Sequence, residues 1–286
     1  MEIRVENLQY VYNEGTPLER KALDGITFTL SPGTILGVLG GTGSGKTTLI
    51  RNLGGLLEPT RGRVLIDGVD ARNHGPGLKR NVGVAFQRPE RQLFEETVFK
   101  DISFVLRHFS DCDEAEILRR VRAVSDLMGL NIDEMADRSP LALSDGEKRK
   151  VAIAGILVND PETLILDEPA VGLDPPSVAE LIAVIEDLKA SGDRSVVIVS
   201  HEMDCFLPLL DLMMVLDRGR MAAIGSPGEV SDALADDPAM RDLLPAACLL
   251  VHDLQKAGYA IPSDLFAVPA LTDRIARLLG SPGGCH

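Results

Sequence analysis

Apolar and polar residues alternate at the start of the chain, with Ile3, Val5 and Leu8 and then Ile26, Phe28 and Leu30 on one side. That period of two is the pattern of half-buried β-strands. Turn-forming stretches, Asn13-Glu14-Gly15-Thr16-Pro17 and Ser31-Pro32-Gly33, punctuate the runs and predict an antiparallel β layer. Ile35-Leu36-Gly37-Val38-Leu39 reads as a short buried strand. A glycine-rich turn follows, then a helix over residues 46–57 with Leu49, Leu53 and Leu56 on one face. Between about residues 95 and 130 the period changes to 3.6 (Val98, Ile102, Val105; Ile117, Val121, Val124, Leu127) in a charged background, which predicts a helical insert.

Strand signals then return. Residues 163–166 and 195–199 are continuous apolar runs too short for helices, as expected of strands buried on both faces of a parallel sheet, and residues 178–188 between them form an amphipathic helix. From about residue 231 leucines at helical spacing replace them. The predicted fold is α/β: a mixed sheet with an N-terminal antiparallel β layer, a helical subdomain over about residues 95–160, and a small helical C-terminal region over 231–286 that follows a main domain of residues 1–230. No apolar run approaches the roughly 18 residues of a membrane span, and there is no internal repeat.

Composition narrows the function. The 286 residues are 45% apolar and 25% charged, which excludes a disordered chain or a minimal disulfide scaffold. Four scattered cysteines without C-x-x-C spacing read as reduced structural thiols, and Cys285 beside His286 is too small a set for a metal site. The N-terminus carries charge from its second residue and has no secretory signal pattern, which places the chain in the cytoplasm. The net charge is -14, but residues 1–91 hold 12 Lys or Arg against 9 Asp or Glu while the remainder holds 17 against 34. Duplex binding needs the opposite excess, so no nucleic-acid partner is expected. A mildly basic N-terminal third suits a smaller anion.

Gly40-Gly41-Thr42-Gly43-Ser44-Gly45-Lys46-Thr47-Thr48 supplies a place for that anion, because it fits G-x-x-x-x-G-K-[ST] between a strand and a helix. Glycines let successive N–H groups curl around phosphate oxygens, the helix end adds positive dipole, Lys46 neutralises the β- and γ-phosphates, and the Thr47 hydroxyl is a Mg²⁺ ligand. Further on, Leu164-Ile165-Leu166-Asp167-Glu168-Pro169 ends a buried strand with two carboxylates. Asp167 is expected to hold Mg²⁺ through water, and Glu168 to face the water that attacks the γ-phosphate. Ser144 with Glu147 three residues on predicts a capping box at a helix start.

Leu143-Ser144-Asp145-Gly146-Glu147 resembles the signature of ATP-binding-cassette ATPases, usually L-S-G-G-Q. Gln87 after a strand, Gly172-Leu173-Asp174 after the Asp-Glu pair and His201 after the last buried strand fall in the family's order. The resemblance implies that Gln87 contacts Mg²⁺ and water, that His201 bonds the γ-phosphate and positions Glu168, and that Tyr12, in preference to its near neighbour Tyr10, stacks on adenine. It also implies that Ser144, Gly146 and Asp174 face ATP held by a second protomer, with two ATP molecules at the dimer interface. Asp145 and Glu147 depart from the family's glycine and glutamine.

Only 56 residues separate Gln87 from Ser144, too few for the coiled coils or zinc modules of DNA-handling members, and the chain has one cassette. Val82-Gly83-Val84-Ala85-Phe86-Gln87-Arg88-Pro89-Glu90-Arg91-Gln92-Leu93-Phe94 resembles the corresponding region of energy-coupling-factor transporter ATPases, including cobalt and nickel importers. This implies a peripheral subunit on the cytoplasmic face of the membrane, working as a homodimer with an integral membrane scaffold and a substrate-capture subunit. A vitamin importer and a non-transport ATPase acting on nucleic acid are the alternatives.

Overall fold

The computed structural model describes residues 1–73, 81–88, 92–190 and 192–280. Strands β1 (Ile3–Tyr12) and β2 (Arg20–Leu30) open the chain, β3 (Ile35–Leu39) leads through the glycine loop into helix α1 (Lys46–Leu53), and β4 (Arg61–Ile66) and β5 (Val69–Asp70) return to the first pair. The result is an antiparallel sheet in the order β2-β1-β4-β5. Ile3 faces Leu30 and Val5 faces Phe28, but a register shift before Leu8 brings that leucine opposite Ile26. Asn7, with φ 47°, takes up the extra residue. This bulge explains why the apolar spacing breaks from two to three while all six side chains stay in the core.

The second sheet adds β6 (Val82–Ala85), β7 (Thr163–Asp167), β8 (Ser195–Val199), β9 (Leu212–Asp217) and β10 (Arg220–Gly225), in the order β10-β9-β3-β8-β7-β6. All its neighbours are parallel except the β9–β10 pair. Side chains alternate between two cores. Leu36, Val38, Ile165, Val197 and Val199 pack with the antiparallel sheet and α1, whereas Ile35, Leu164, Leu166, Val196 and Ile198 face the remaining helices. Each such buried aliphatic contributes about 1.5–3 kcal/mol from apolar burial, so the central strands anchor whatever their ends carry.

Helices α2 (Val98–Phe109), α3 (Glu114–Leu127) and α4 (Asp145–Leu157) form the insert. Each starts on a side-chain cap, Thr97, Asp113 or Ser144, and the predicted capping box between Ser144 and Glu147 is present. Val98 and Ile102 of α2 and Ile117 and Val121 of α3 are buried as the spacing predicts, whereas Val105, Val124 and Leu127 are half-buried and the next residue of α2, Leu106, takes the core position instead of Val105. Helix α5 (Pro175–Ala190) joins β7 to β8, and α6 (Pro227–Leu234), α7 (Ala246–Lys256) and α8 (Val268–Gly280) follow the last strand.

Two boundaries differ from the sequence expectation. Helix α1 stops at Leu53 and not at residue 57, because Gly54 caps it and Gly55 turns the chain at φ 65°, leaving Leu56 exposed. Helix α5 begins three residues early, since Pro175 and Pro176 suit a first turn and Asp174 accepts from the Ser177 N–H at 2.8 Å. Cys112, Cys205 and Cys248 are free thiols. Cys285, His286, Pro89, Glu90 and Arg91 lie outside the described residues.

Candidate functional site

Four neighbouring parallel strands, β3, β8, β7 and β6, run the same way and so deliver the segments that follow them to one sheet edge. Those segments are the glycine loop, His201, Asp167 with Glu168, and Gln87. The carboxyl edge of a parallel sheet is where such folds bind ligands. Here it forms a cleft of about 690 Å³ lined by Tyr12, residues 42–48, Gln87, Asp167, Glu168 and His201, with Arg20 at its rim.

The loop is built for close backbone approach. Gly40 has φ 148°, and a Cβ there would lie 2.3 Å from the Leu216 carbonyl; Gly45 has φ 109°, and its Cβ would lie 2.7 Å from the Ala22 carbonyl. Only glycine fits either place. Lys46 Nζ donates to the carbonyls of Gly40 at 2.6 Å and Gly41 at 3.1 Å, which holds its charge against the loop. Burial lowers the Lys46 pKa, and Glu168 and Asp167 work against that shift. The buried Ser44 hydroxyl has no partner among the described residues, a donor left for a bound oxygen. Tyr12 lines this cleft, its hydroxyl 3.2 Å from Thr48 Oγ1, whereas Tyr10 packs on the core beside it.

Asp167 and Glu168 have different surroundings. Asp167 is buried, and burial together with the Glu168 charge raises its pKa to about 6, against the opposing charges of Lys46, Arg51 and His201. Glu168 sits in the left-handed region at φ 52°, a conformation costing about 1–3 kcal/mol for such a residue. Its N–H donates to Val199 O at 2.7 Å, and Glu168 Oε2 accepts from the His201 N–H at 3.1 Å and the Ser200 hydroxyl at 3.3 Å. His201 Nε2 lies 3.4 Å from Oε1 of the same carboxylate. The strained backbone is thus pinned on both sides, and the carboxylate is aimed.

Thr47, Gln87 and Asp167 bring only oxygen donors to the cleft, a set suited to a hard divalent cation that completes its shell with phosphate and water. No cluster of three or more His, Cys, Asp or Glu able to hold a metal by itself occurs among the described residues. The donors therefore fit Mg²⁺ bound together with a nucleotide.

Ser144, Gly146 and Asp174 lie elsewhere. With Asp145, Glu147, Gly172 and Leu173 they line a second cleft of about 420 Å³, which shares no residue with the first. Glu147 accepts from the Ser144 N–H and hydroxyl, both at 2.8 Å, and these bonds hold its carboxyl below the usual range. The Asp145 carboxylate points to solvent, 94% exposed, with Lys148 Nζ at 3.5 Å.

Two residues gain roles that the motifs alone do not give them. Arg149, on α4, donates to the carbonyl oxygens of Glu168, Pro169, Val171 and Gln87. It ties the signature helix to both nucleotide-side segments, and no periodicity announces such backbone contacts. Gln92 bonds Phe86 N–H and Val84 O, each at 3.0 Å, and so fixes the segment after β6 that carries Gln87.

Residues 23–171 match the ABC transporter family. The energy-coupling factor transporter ATP-binding protein EcfA2 of Caldanaerobacter subterraneus subsp. tengcongensis is 40% identical over 98% of this chain and 98% of its own. The EcfA2 of Symbiobacterium thermophilum is also 40% identical, over 99% and 98%. Among solved structures, CbiO1 from Clostridium perfringens, part of the ABC transporter complex cbiONQ, is 31% identical, covers 98% of both chains and superposes with a TM-score of 0.72. The dimeric ABC transporter cassette MJ0796 shares the fold, with a TM-score of 0.71 at 23% identity over 78% of this chain and 98% of that one. Sequence, architecture and relatives agree: the chain belongs to the ABC transporter ATPases, among the ATP-binding subunits of energy-coupling-factor transporters, and couples ATP hydrolysis to transport.

Proposed function

We infer that two copies of this chain close around two ATP molecules and so drive an energy-coupling-factor importer for cobalt or nickel ions. The observation that carries the dimer is the separation of the two clefts: one holds the phosphate loop and carboxylates, the other holds the signature and Asp174. A signature cleft on one protomer completes the phosphate cleft of its partner. Residues 1–230 make up the ATPase unit, and residues 231–286, helical over their described part, are an appendage to it. The metal cargo rests on the resemblance of residues 82–94 to the corresponding region of energy-coupling-factor transporter ATPases, which include cobalt and nickel importers.

In this reading Tyr12 contacts the adenine, residues 40–48 cradle the phosphates, and Thr47, Gln87 and Asp167 hold Mg²⁺. The ion, when bound, neutralises phosphate charge. Glu168 accepts the proton of the attacking water, and its two bonds from the 200–201 segment keep one carboxylate oxygen turned away from solvent. His201 holds Glu168 and the γ-phosphate in register. Catalysis is positioning and charge neutralisation, without a covalent intermediate.

At the signature, Asp145 places an extra negative charge in the cleft that receives the partner's γ-phosphate. Because that carboxylate is solvated, its repulsion is modest. Asp145→Gly is expected to speed steady-state hydrolysis about two- to fivefold, on the scale of an exposed ion-pair interaction; an unchanged or slower rate in a phosphate-release assay contradicts the assignment.

The membrane subunits dock beside Gln87. Leu93 is buried in the insert, but Phe94 is 64% exposed and stacks edge-on against Phe104 at 4.7 Å between ring centres, with His108 and Phe109 beyond. This aromatic shelf offers a scaffold helix its contact. Phe94→Ala is expected to uncouple ATPase from uptake with little loss of melting temperature, since the ring is mostly in water; parallel loss of both activities with a lower melting temperature refutes it.

Purification of the chain from its native membranes in mild detergent, with mass spectrometry of what accompanies it, tests the whole reading. An integral membrane scaffold and a metal-capture subunit are expected. A vitamin-capture subunit overturns the cargo, and a nucleic-acid-bound partner overturns the transport role.

A further inference from the structure

The segment that follows His201 is tied to the C-terminal helices. Met203 and Phe206, both essentially buried, anchor a single turn of 3-10 helix over Met203–Cys205. Asp204 projects from that turn to the start of α7, where its Oδ1 accepts from the Ala247 N–H at 2.9 Å and its Oδ2 from the Ala246 N–H at 3.2 Å. Pro245 precedes α7 without any side-chain cap, so Asp204 supplies from another part of the chain the acceptor this helix lacks locally. An ionised acceptor at a helix N-terminus is favoured by the helix dipole as well as by the two hydrogen bonds.

The other end of the same turn is the hydrolysis site. Glu202 N–H donates to Ser200 Oγ at 3.0 Å, and that hydroxyl donates to Glu168 Oε2. A continuous path thus runs from the first turn of α7 through Asp204 and residues 200–202 to Glu168. A second contact leads from the same C-terminal region to the phosphate loop: the tip of Leu243 lies 3.8 Å from where a Cβ on Gly41 would stand. The chain after β10 therefore approaches the site from two sides, through the Asp204 contact at the start of α7 and through Leu243 in the turn that precedes it.

We propose that Asp204 is a positioning residue, through which the C-terminal helical region holds the His201 segment in register for hydrolysis. The region then serves the chemistry of its own protomer and is more than a cover for the sheet. Asp204 touches no substrate; it acts by fixing where His201 and the N–H that orients Glu168 stand. This rests on the reading of His201 given above.

A double-mutant cycle on the full chain, read as steady-state kcat and KM for ATP, tests it. Asp204→Ala is expected to lower kcat about five- to twentyfold with KM changed less than twofold, and Asp204→Asn to recover most of kcat, because its amide oxygen still accepts from Ala247. In a His201→Ala background Asp204→Ala is expected to add nothing. Ala246→Pro approaches from the opposite side. It removes one donor at a helix position that tolerates proline, after a residue already at ψ 146°, and leaves residues 200–206 untouched. It is expected to give a smaller loss of kcat of the same kind, and it decides the matter if Asp204→Ala fails to fold. Unchanged kcat in both variants, or losses that multiply with that of His201→Ala, overturn the proposal. If His201→Ala alone leaves kcat unchanged, the His201 reading has failed separately, and any loss in Asp204→Ala then excludes the route through His201.

Discussion

Glu168→Gln is expected to leave ATP binding intact and to lower turnover by about two to four orders of magnitude, the range of a lost general base. The amide keeps an acceptor oxygen for the Ser200 hydroxyl and the His201 N–H, so the strained φ 52° backbone keeps its support. It loses the capacity to take a proton from water. Because Glu168 is also one of the causes that raise the Asp167 pKa, the substitution lets Asp167 ionise at lower pH and does not weaken the cation donors. Nucleotide binding by equilibrium dialysis and phosphate release in single turnover check the two halves. Turnover within a few-fold of the unmodified chain would show that another group takes the proton.

The order in which site and fold become visible along the chain has physical causes. The nucleotide motifs are legible because phosphate recognition demands glycine at fixed places, and Gly40 and Gly45 meet neighbouring backbone that leaves no room for a side chain. The buried parallel strands β3, β7 and β8 are legible because both faces are covered, which forces continuous apolar runs. Strand β4 carries no such signal, since Arg61-Gly62-Arg63 opens it with exposed charge and only its last three residues are buried. Strands β9 and β10 are hidden differently: Met213 and Met214 carry no strand preference, and β10 is an edge strand with a broken alternation. Contacts made to backbone atoms leave no trace in a pattern. Arg149 and Asp204 reach carbonyl and N–H groups of distant segments, so only the folded arrangement gives them roles. Capping by sequence neighbours, as between Ser144 and Glu147, is legible because both partners lie within one turn.

Asp167→Asn is expected to abolish hydrolysis and at the same time to make the nucleotide-free protein more stable at pH 8. An ordinary aspartate ionises near 3.8, but burial and the Glu168 charge hold Asp167 at about 6 in the fold. The folded value lies above the unfolded one, so the unfolded chain gives up this proton first as the pH rises. Stability therefore falls between about pH 3.8 and 6, and above that window the ionised carboxylate costs about 3 kcal/mol. Asparagine has the same shape and no charge to bury. Its melting temperature is expected several degrees above that of the unmodified chain at pH 8, with most of the difference gone by pH 4, where the folded-state aspartate is protonated and the unfolded one about half so. Loss of one attraction on Lys46 reduces the gain without reversing it, because Glu168 is the larger stabiliser of that ammonium. Adding Mg-ATP is expected to reverse the order, since the unmodified chain gains binding energy in the folded state that the asparagine variant loses with its charged donor. Scanning calorimetry at the two pH values, with and without Mg-ATP, reads all three effects. A variant less stable than the unmodified chain at pH 8 without nucleotide, or one that still hydrolyses ATP within a few-fold, would show that this carboxylate is a structural partner of Lys46 and not a poised cation ligand.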